Sequence, residues 1–468
     1  MAFDSNGDIQ DVLIIGGGPA GSTAGTYLAR QGHRVTILEK EKFPRDHVGE
    51  SLLPFCYKLL EDLGVLEQMK AMFVRKPGVR FVDTNGVLHT TWCFSHVIHD
   101  ETYLSFQVAR TEFDTLLLNN ARTKGATVLE ETRVERINLD GPDGTVELQA
   151  VGPDGQRKTY RGRFLLDCSG RNAVVASQKG QKKKFPDLDR TALWTHWTDG
   201  KIAGGLEEGL SLIVYVGGEK KGWIWVFPLA KDRLTVGVVL NNDYIRSEKA
   251  KLQAEGAEDW LMALYHQELS YSSFVTDLLE NASILQPLTV EGNYSYFTES
   301  KYGENYALVG DAAQFIDPIF SSGIFLAMNS SRLVTEAVHA RLTGSKEEAD
   351  TAFETVYGKI NGAYKLIHKL INTFYSSDVI NFAQMESAQE LIHEQHRDAM
   401  AVGHFMLAGD FFDRYDQYGD VIDVLQKPHL FKAYKRMVLE RQDWQGKTCG
   451  HDDSVFPQVP AVAVEAGD

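Results

Sequence analysis

The stretch Asp11-Val-Leu-Ile-Ile-Gly-Gly-Gly-Pro-Ala-Gly21 restricts the folds open to this chain more than any other. Val12 to Ile15 is an apolar run too short for a helix, and it reads as a buried parallel strand. Gly16, Gly18 and Gly21 follow it in G-x-G-x-x-G spacing. Gly16 permits a tight turn, Gly18 lets backbone approach a pyrophosphate, and Gly21 lets the next helix pack closely on the sheet. That helix, predicted over Pro19 to Gln31, aims its N-terminal dipole at the phosphates from Pro19 and Ala20. A second strand, Arg34 to Glu39, ends in an acid about 20 residues on, where a ribose hydroxyl needs an acceptor. Glu39, with Lys40 beside it, is the candidate. Glycine spacing alone is weak; strand, glycines, helix, strand and acid together specify a nucleotide-binding unit.

The chain has 468 residues, 43% of them hydrophobic, enough for two or three domains. A net charge of −16 argues against nucleic acid as a partner, since phosphate binding needs a basic surface. The four cysteines are widely spaced with no C-x-x-C, so neither zinc nor a disulfide framework is suggested. The N-terminus carries no signal-peptide pattern and no apolar run approaches ~18 residues. The expectation is no membrane span and a cytoplasmic location.

Further along, Phe43 to Pro54 reads as an ordered loop, with Arg45 able to face cofactor phosphates and Glu50 and Ser51 placed to pass a flavin. A helix from about Phe55 stops at Gly64. Lys76 precedes Pro77 and is pushed toward extended backbone; a lysine there is ordinarily solvated. Asn85-Gly86 signals a hairpin. Thr111 is the expected cap of a helix ending at Gly125, with Arg110 just before it. Strands from about Ala126 lead to a second buried strand ending at Asp167, followed by Gly170. Lys179 to Lys184 is a basic patch. Strand-like runs dominate Ala192 to Asn241, and a helical stretch covers about Tyr244 to Leu279. A strand at Tyr306 to Val309 runs into Gly310-Asp311. Pro318 and a Ser/Gly turn then open a helix at Gly323 and Ile324. Residues past Gly344 read as mostly helical, and the tail past about Asp452 as disordered.

Three separated pieces, the glycine turn, Asp167 with Gly170, and Gly310-Asp311, point to one flavin, with Asp311 an acceptor for a ribitol hydroxyl. This arrangement resembles the FAD-dependent aromatic hydroxylase superfamily. It implies a mixed α/β fold. A discontinuous Rossmann-like FAD-binding domain would take residues 1–175 and 285–345. An antiparallel-sheet substrate domain would take 176–284, and a helical C-terminal region 346–468.

Within that superfamily, Trp223-Ile-Trp-Val-Phe-Pro228 resembles the W-x-W-x-I-P signature of flavin-dependent halogenases, with Phe227 replacing isoleucine. Phe315-Ile-Asp-Pro-Ile-Phe-Ser-Ser-Gly323 resembles their F-x-x-P-x-x-S-x-G signature at every fixed position. Lys76 lies where that family carries its essential lysine. The resemblance implies reduced FAD from a separate NAD(P)H-flavin reductase, and chloride or bromide oxidised to hypohalous acid. That reagent would pass through an internal tunnel to Lys76, beside an electron-rich ring. Ser322 and Gly323 are the candidate halide site. Trp223 and Trp225, two apart on a strand, point the same way and would wall off the flavin. Phe320 stands where tryptophan halogenases carry a glutamate. A phenolic or pyrrolic ring, free or tethered to a carrier protein, is therefore favoured over free tryptophan. Lys182, Lys183 and Lys184 would dock an acidic carrier. The rival reading is an FAD-dependent aromatic monooxygenase that hydroxylates its substrate.

Overall fold

The computed structural model describes residues 9–201, 208–292, 294–376, 382, 402–425, 449 and 455. Its fold is mixed α/β. The apolar run of the glycine motif becomes the strand Gln10–Ile15, with its last four residues buried. It lies between Val35–Leu38 and Arg157–Asp167 and is parallel to both. Thr127–Leu129 and Tyr306–Leu308 add parallel strands, and Val146–Val151 and Arg133–Asn138 add antiparallel ones. In register, Ile15 lies opposite both Asp167 and Leu38, and Asp167 opposite Leu308. Four parallel strands thus end together, which is where ligands settle in open α/β sheets.

Close packing explains two of the motif glycines. Gly16 has φ +98°, and a Cβ there would lie 2.4 Å from the carbonyl oxygen of Cys168. A Cβ on Gly21 would lie 1.9 Å from the carbonyl oxygen of Gly16. The helix Pro19–Arg30 therefore seats directly on the sheet and packs along Gly323–Thr343, whose Ser331 hydroxyl donates to the carbonyl of Ala20 at 2.8 Å.

The second sheet runs Arg190–Thr198, Arg233–Asn241, Gly222–Ala230, Ser211–Val216, all antiparallel neighbours. It continues through Gly78–Val82, parallel to Ser211–Val216, into His89–Cys93. The hairpin around Asn85-Gly86 therefore joins this sheet, although its sequence position falls within the 1–175 assigned to FAD binding. The reason is burial: Phe81 and Val82 alternate between the two apolar cores on either face of the sheet. The expected helical stretch after Asn241 is three helices, Asn242–Ala254, Trp260–Ser270 and Ser273–Leu279. Gly256, at φ +88°, and the Asp259 cap on Met262 N–H interrupt it. Another correction concerns Thr111. Its helix, Arg110–Thr123, is capped two residues earlier, at Ala109, so Thr111 sits inside the first turn.

A capping box of Ser345 and Glu348 starts the long helix Lys346–Tyr375. Its Tyr357 and Tyr364 donate to the carbonyls of Leu308 and Gln314 at 2.8 and 2.9 Å, tying it to the nucleotide half. Cys93 and Cys449 form a disulfide, contrary to the reading of the cysteine spacing, because partners 356 residues apart leave no local pattern. Val455 is buried beside it, and its carbonyl accepts from Arg75 N–H at 2.8 Å, so the expected disorder does not extend to this residue. The remainder of the tail past Asp452 lies outside the described residues.

Candidate active site

A cavity of about 710 Å³ opens where the parallel strands end, between them and the second sheet. That volume falls within the ~300–1,000 Å³ usual for ligand sites. Gly16, Gly18, Pro19 and Ala20 line one end, with Glu39 and Lys40 beside them. Glu39 is buried and accepts from the N–H of Gly17 at 2.7 Å and of Glu41 at 2.9 Å, which fixes the carboxylate against the glycine turn. Lys40 pairs with Glu41 at 3.3 Å. Gly21 does not line the cavity; it serves the helix packing described above.

Arg45 and Arg110 also line the cavity. Arg110 clasps Asp114 with two hydrogen bonds of 2.7 and 2.8 Å and donates to the carbonyl of Val48 at 2.7 Å, holding the 43–54 loop in place. Arg45 meets the same Asp114 at 3.1 Å, and its Nη1 is buried without a partner. Glu50 pairs with His196 of the second sheet at 2.9 Å, so the loop bridges both halves. Gly170 and Asp311 line the wall. Burial pushes the Asp311 carboxyl up to about 6, with Arg171 and Arg110 partly opposing. Asp167 does not reach the cavity. Its carboxylate accepts from the N–H groups of Ser169 and Val175 at 3.0 and 2.8 Å and shapes the loop that does.

Pro318, Gly323 and Ile324 line the far side, where the helix Gly323–Thr343 begins. A Cβ on Gly323 would meet nothing within 4 Å, so the start of this helix is open. Ser322 is not on the cavity wall; its hydroxyl is buried and has no partner. Trp223 and Trp225 do share one face and both line the cavity, their rings 5.4 Å apart. Phe227 completes this stripe, as the period of two along a strand allows. Tyr294 and Tyr364 line the cavity too, and nothing in their local sequence marks them.

Lys76 ends the short strand Val74–Lys76, is 1% exposed, and is not among the residues lining this cavity. Ser51 stands on the wall of the cavity and takes the hydrogen bond from Lys76 Nζ at 2.9 Å. A second bond goes to the carbonyl of Leu52 at 3.0 Å, and the Phe94 ring lies 5.5 Å from the nitrogen. Burial lowers the Lys76 amine to about 7, with Cys56 slightly opposing. The lysine patch is partly engaged elsewhere. Lys182 donates to the carbonyl of Arg171 at 2.7 Å and covers the Tyr296 ring, and Lys183 lies 3.9 Å from Glu299.

These features define a dinucleotide site of flavoprotein type. The glycine cradle, where a Cβ on Gly18 would sit 3.4 Å from Arg45 Nη2, and the orphaned Nη1 of Arg45 fit FAD. Residues 10–352 match the FAD binding domain family. The chain is 33% identical over 389 residues to the tryptophan 2-halogenase of Chondromyces crocatus, covering 82% of this chain and 71% of that one. It is 28% identical to the 1H-pyrrole-2-carbonyl-[peptidyl-carrier protein] chlorinase of Pseudomonas fluorescens, over 79% of this chain and 84% of that one. The structure of the flavin-dependent brominase Bmp2 superposes with a TM-score of 0.75 at 25% identity, covering 92% of this chain and all of that one. The chain belongs to the flavin-dependent halogenases, FAD-dependent oxidoreductases. No helix among the described residues is long and apolar enough to cross a membrane.

Proposed function

We propose that this halogenase carries an oxidised halogen from the flavin cavity to Lys76 and delivers it there to a phenolic or pyrrolic ring. When bound and reduced, FAD supplies the oxidation of chloride or bromide by oxygen to hypohalous acid. The protein's part is placement. Gly16 to Ala20 and Glu39 would hold the nucleotide end, and Arg45 would meet the phosphates. Asp311 would accept from the ribitol. The free amides at Gly323 and Ile324 offer a halide site, since a helix N-terminus favours an anion. Trp223, Trp225 and Phe227 exclude bulky organic substrate from that end.

The observation that carries this reading is a buried lysine with neutral partners, one of which lies on the cavity wall. An amine near 7 is available both as an ammonium that donates to hypohalous acid and as a free base that takes up halogen. Phe320 supports the substrate class. It packs against Phe374 and Phe382 at 6.1 and 5.9 Å, so no carboxylate assists ring deprotonation from that position. Phenols and pyrroles lose that proton without such help. A separate NAD(P)H-flavin reductase would supply reduced FAD, and a carrier protein would present a tethered ring.

The test supplies reduced FAD, oxygen and either halide with free tryptophan, a phenol panel, and pyrrole-2-carboxylate free and as a carrier thioester. Wild type is expected to halogenate the phenol or pyrrole, and Lys76→Ala to give no halogenated product. Hydroxylated product, or halogenation by Lys76→Ala, overturns the reading. Charge reversal at Lys182, Lys183 and Lys184 that leaves thioester turnover intact removes carrier docking there.

A further inference from the structure

The Ser51 hydroxyl links the cavity wall to Lys76. The strand Val74–Lys76 pairs with Ser105–Gln107, and Ser51 bridges to Gln107 of that same strand. Leu52 N–H donates to the carbonyl of Phe106 at 2.9 Å and Val108 N–H to that of Glu50 at 2.7 Å, so the loop is clamped beside the strand. The Lys76 side chain crosses to Ser51 Oγ and Leu52 O, both neutral acceptors. Ser51 Oγ is also 3.0 Å from Ser211 Oγ, which accepts from Gln107 Nε2 at 2.9 Å. Lys76 thus fills one lone pair of Ser51, and Gln107 one of Ser211. When Ser211 donates to Ser51, the hydrogen of Ser51 is left for the cavity that this residue lines.

We propose that Ser51 is a catalytic residue that passes a proton between the cavity and the amine of Lys76, with Ser211 and Gln107 as positioning residues that set its orientation. This rests on the role given to Lys76 above. In the step, the Ser51 hydroxyl hydrogen passes to a basic oxygen in the cavity, a hydroxide or hypohalite anion. One hydrogen of the Lys76 ammonium replaces it on Ser51. The balance is one proton moved from nitrogen to oxygen: the anion is neutralised, the amine is left with a lone pair for the halogen, and no oxidant is consumed. A hydrogen-bonded hydroxyl suits a relay because it gives and receives along the same line.

The test has two readouts. In apo protein carrying ¹³C-labelled lysine, the Cε resonance of Lys76 is assigned by its loss in Lys76→Met and titrated with pH. Ser51→Ala is expected to lower the midpoint by about one pH unit, because the ammonium loses an acceptor. Ser51→Thr is expected to restore it. In the FAD-loaded enzyme, Ser51→Ala is expected to lower kcat about 10- to 100-fold with KM for the ring unchanged, again restored by threonine. Ser211→Ala, remote from the wall, is expected to lower kcat several-fold in the same direction. Wild-type kcat in both alanine variants, or a Lys76 midpoint that does not move in Ser51→Ala, overturns the proposal. Lys76→Ala distinguishes the two levels. If it abolishes halogenation while Ser51→Ala does not slow it, only the relay is lost; if it halogenates normally, the parent reading falls.

Discussion

Trp223 donates its indole N–H to the hydroxyl of Tyr375 at 3.0 Å, joining the cavity wall to the last turn of a helix 152 residues further on. Tyr375 in turn donates to Asp317 at 2.8 Å, inside the loop that opens the helix Gly323–Thr343. The Arg190 guanidinium lies 3.5 Å over the Tyr375 ring. One tyrosine therefore couples the tryptophan wall to the turn on which the candidate halide site stands.

Tyr375→Phe leaves the Trp223 N–H and the fully buried Asp317 each short of a partner. The expected cost is about 1–3 kcal/mol, read as a lower urea midpoint. Trp223→Phe added to Tyr375→Phe is expected to cost less than the two separate effects together, because they share one bond.

Flavin affinity is expected to depend on Asp311. Its carboxyl ionises near 6, so a ribitol hydroxyl donating to the ionised form binds better as pH rises through that value. Affinity at about pH 7.5 is expected to be about tenfold that at about pH 5, since one pH unit below a pKa leaves about a tenth of the group ionised. Fluorescence titration of flavin measures this, and Asp311→Asn is expected to flatten the dependence.

Lys76 makes stability rise with alkalinity. Its folded value of about 7 lies below the ordinary 10.5, so between these the unfolded chain binds more protons and the folded state gains as pH rises. Below about 7 the full penalty of burying the ammonium applies; above 10.5 it is gone. The whole span is worth on the order of 4 to 5 kcal/mol. Urea midpoints of wild type are expected to rise between neutral and alkaline pH by more than those of Lys76→Met, which lacks the titrating group.

Gly237 faces Trp225 across the strand pair. A Cβ there would lie 2.3 Å from two ring carbons of Trp225 and 2.7 Å from Cβ of Trp194. Gly237→Ala is expected to displace the Trp225 ring, with about 1–3 kcal/mol of lost stability. A changed tryptophan emission spectrum and weaker flavin binding would report the displacement.

What the sequence discloses follows from distance along the chain. The glycine turn, Glu39 and the Trp223–Phe227 stripe are local patterns, and their geometry can be read from a dozen residues. Asp167 shows the limit of such reading. An acid at a strand end looks like a ligand, yet the backbone N–H groups of Ser169 in the next loop and Val175 in the helix after it claim it first. Lys76 is recognisable through its resemblance, but its burial and its neighbours are not. Ser51, Ser211 and Gln107 come from separate parts of the chain and meet through the pairing of Ser105–Gln107 with Val74–Lys76, the bridge from Ser51 to Gln107, and the pairing of Ser211 with Val79. Tyr375 and Asp317 are likewise 58 residues apart. No periodicity or spacing rule connects such pairs.

The Cys93–Cys449 bond gives a residue 356 positions further on a place beside the buried Lys76 amine. Cys93 lies opposite Gly78, and the next residue, Phe94, presents its ring to the Lys76 nitrogen. Arg75, immediately before that lysine, is held by Val455. Reducing this moorage is thus an intervention beside the buried Lys76 amine, made from hundreds of residues away.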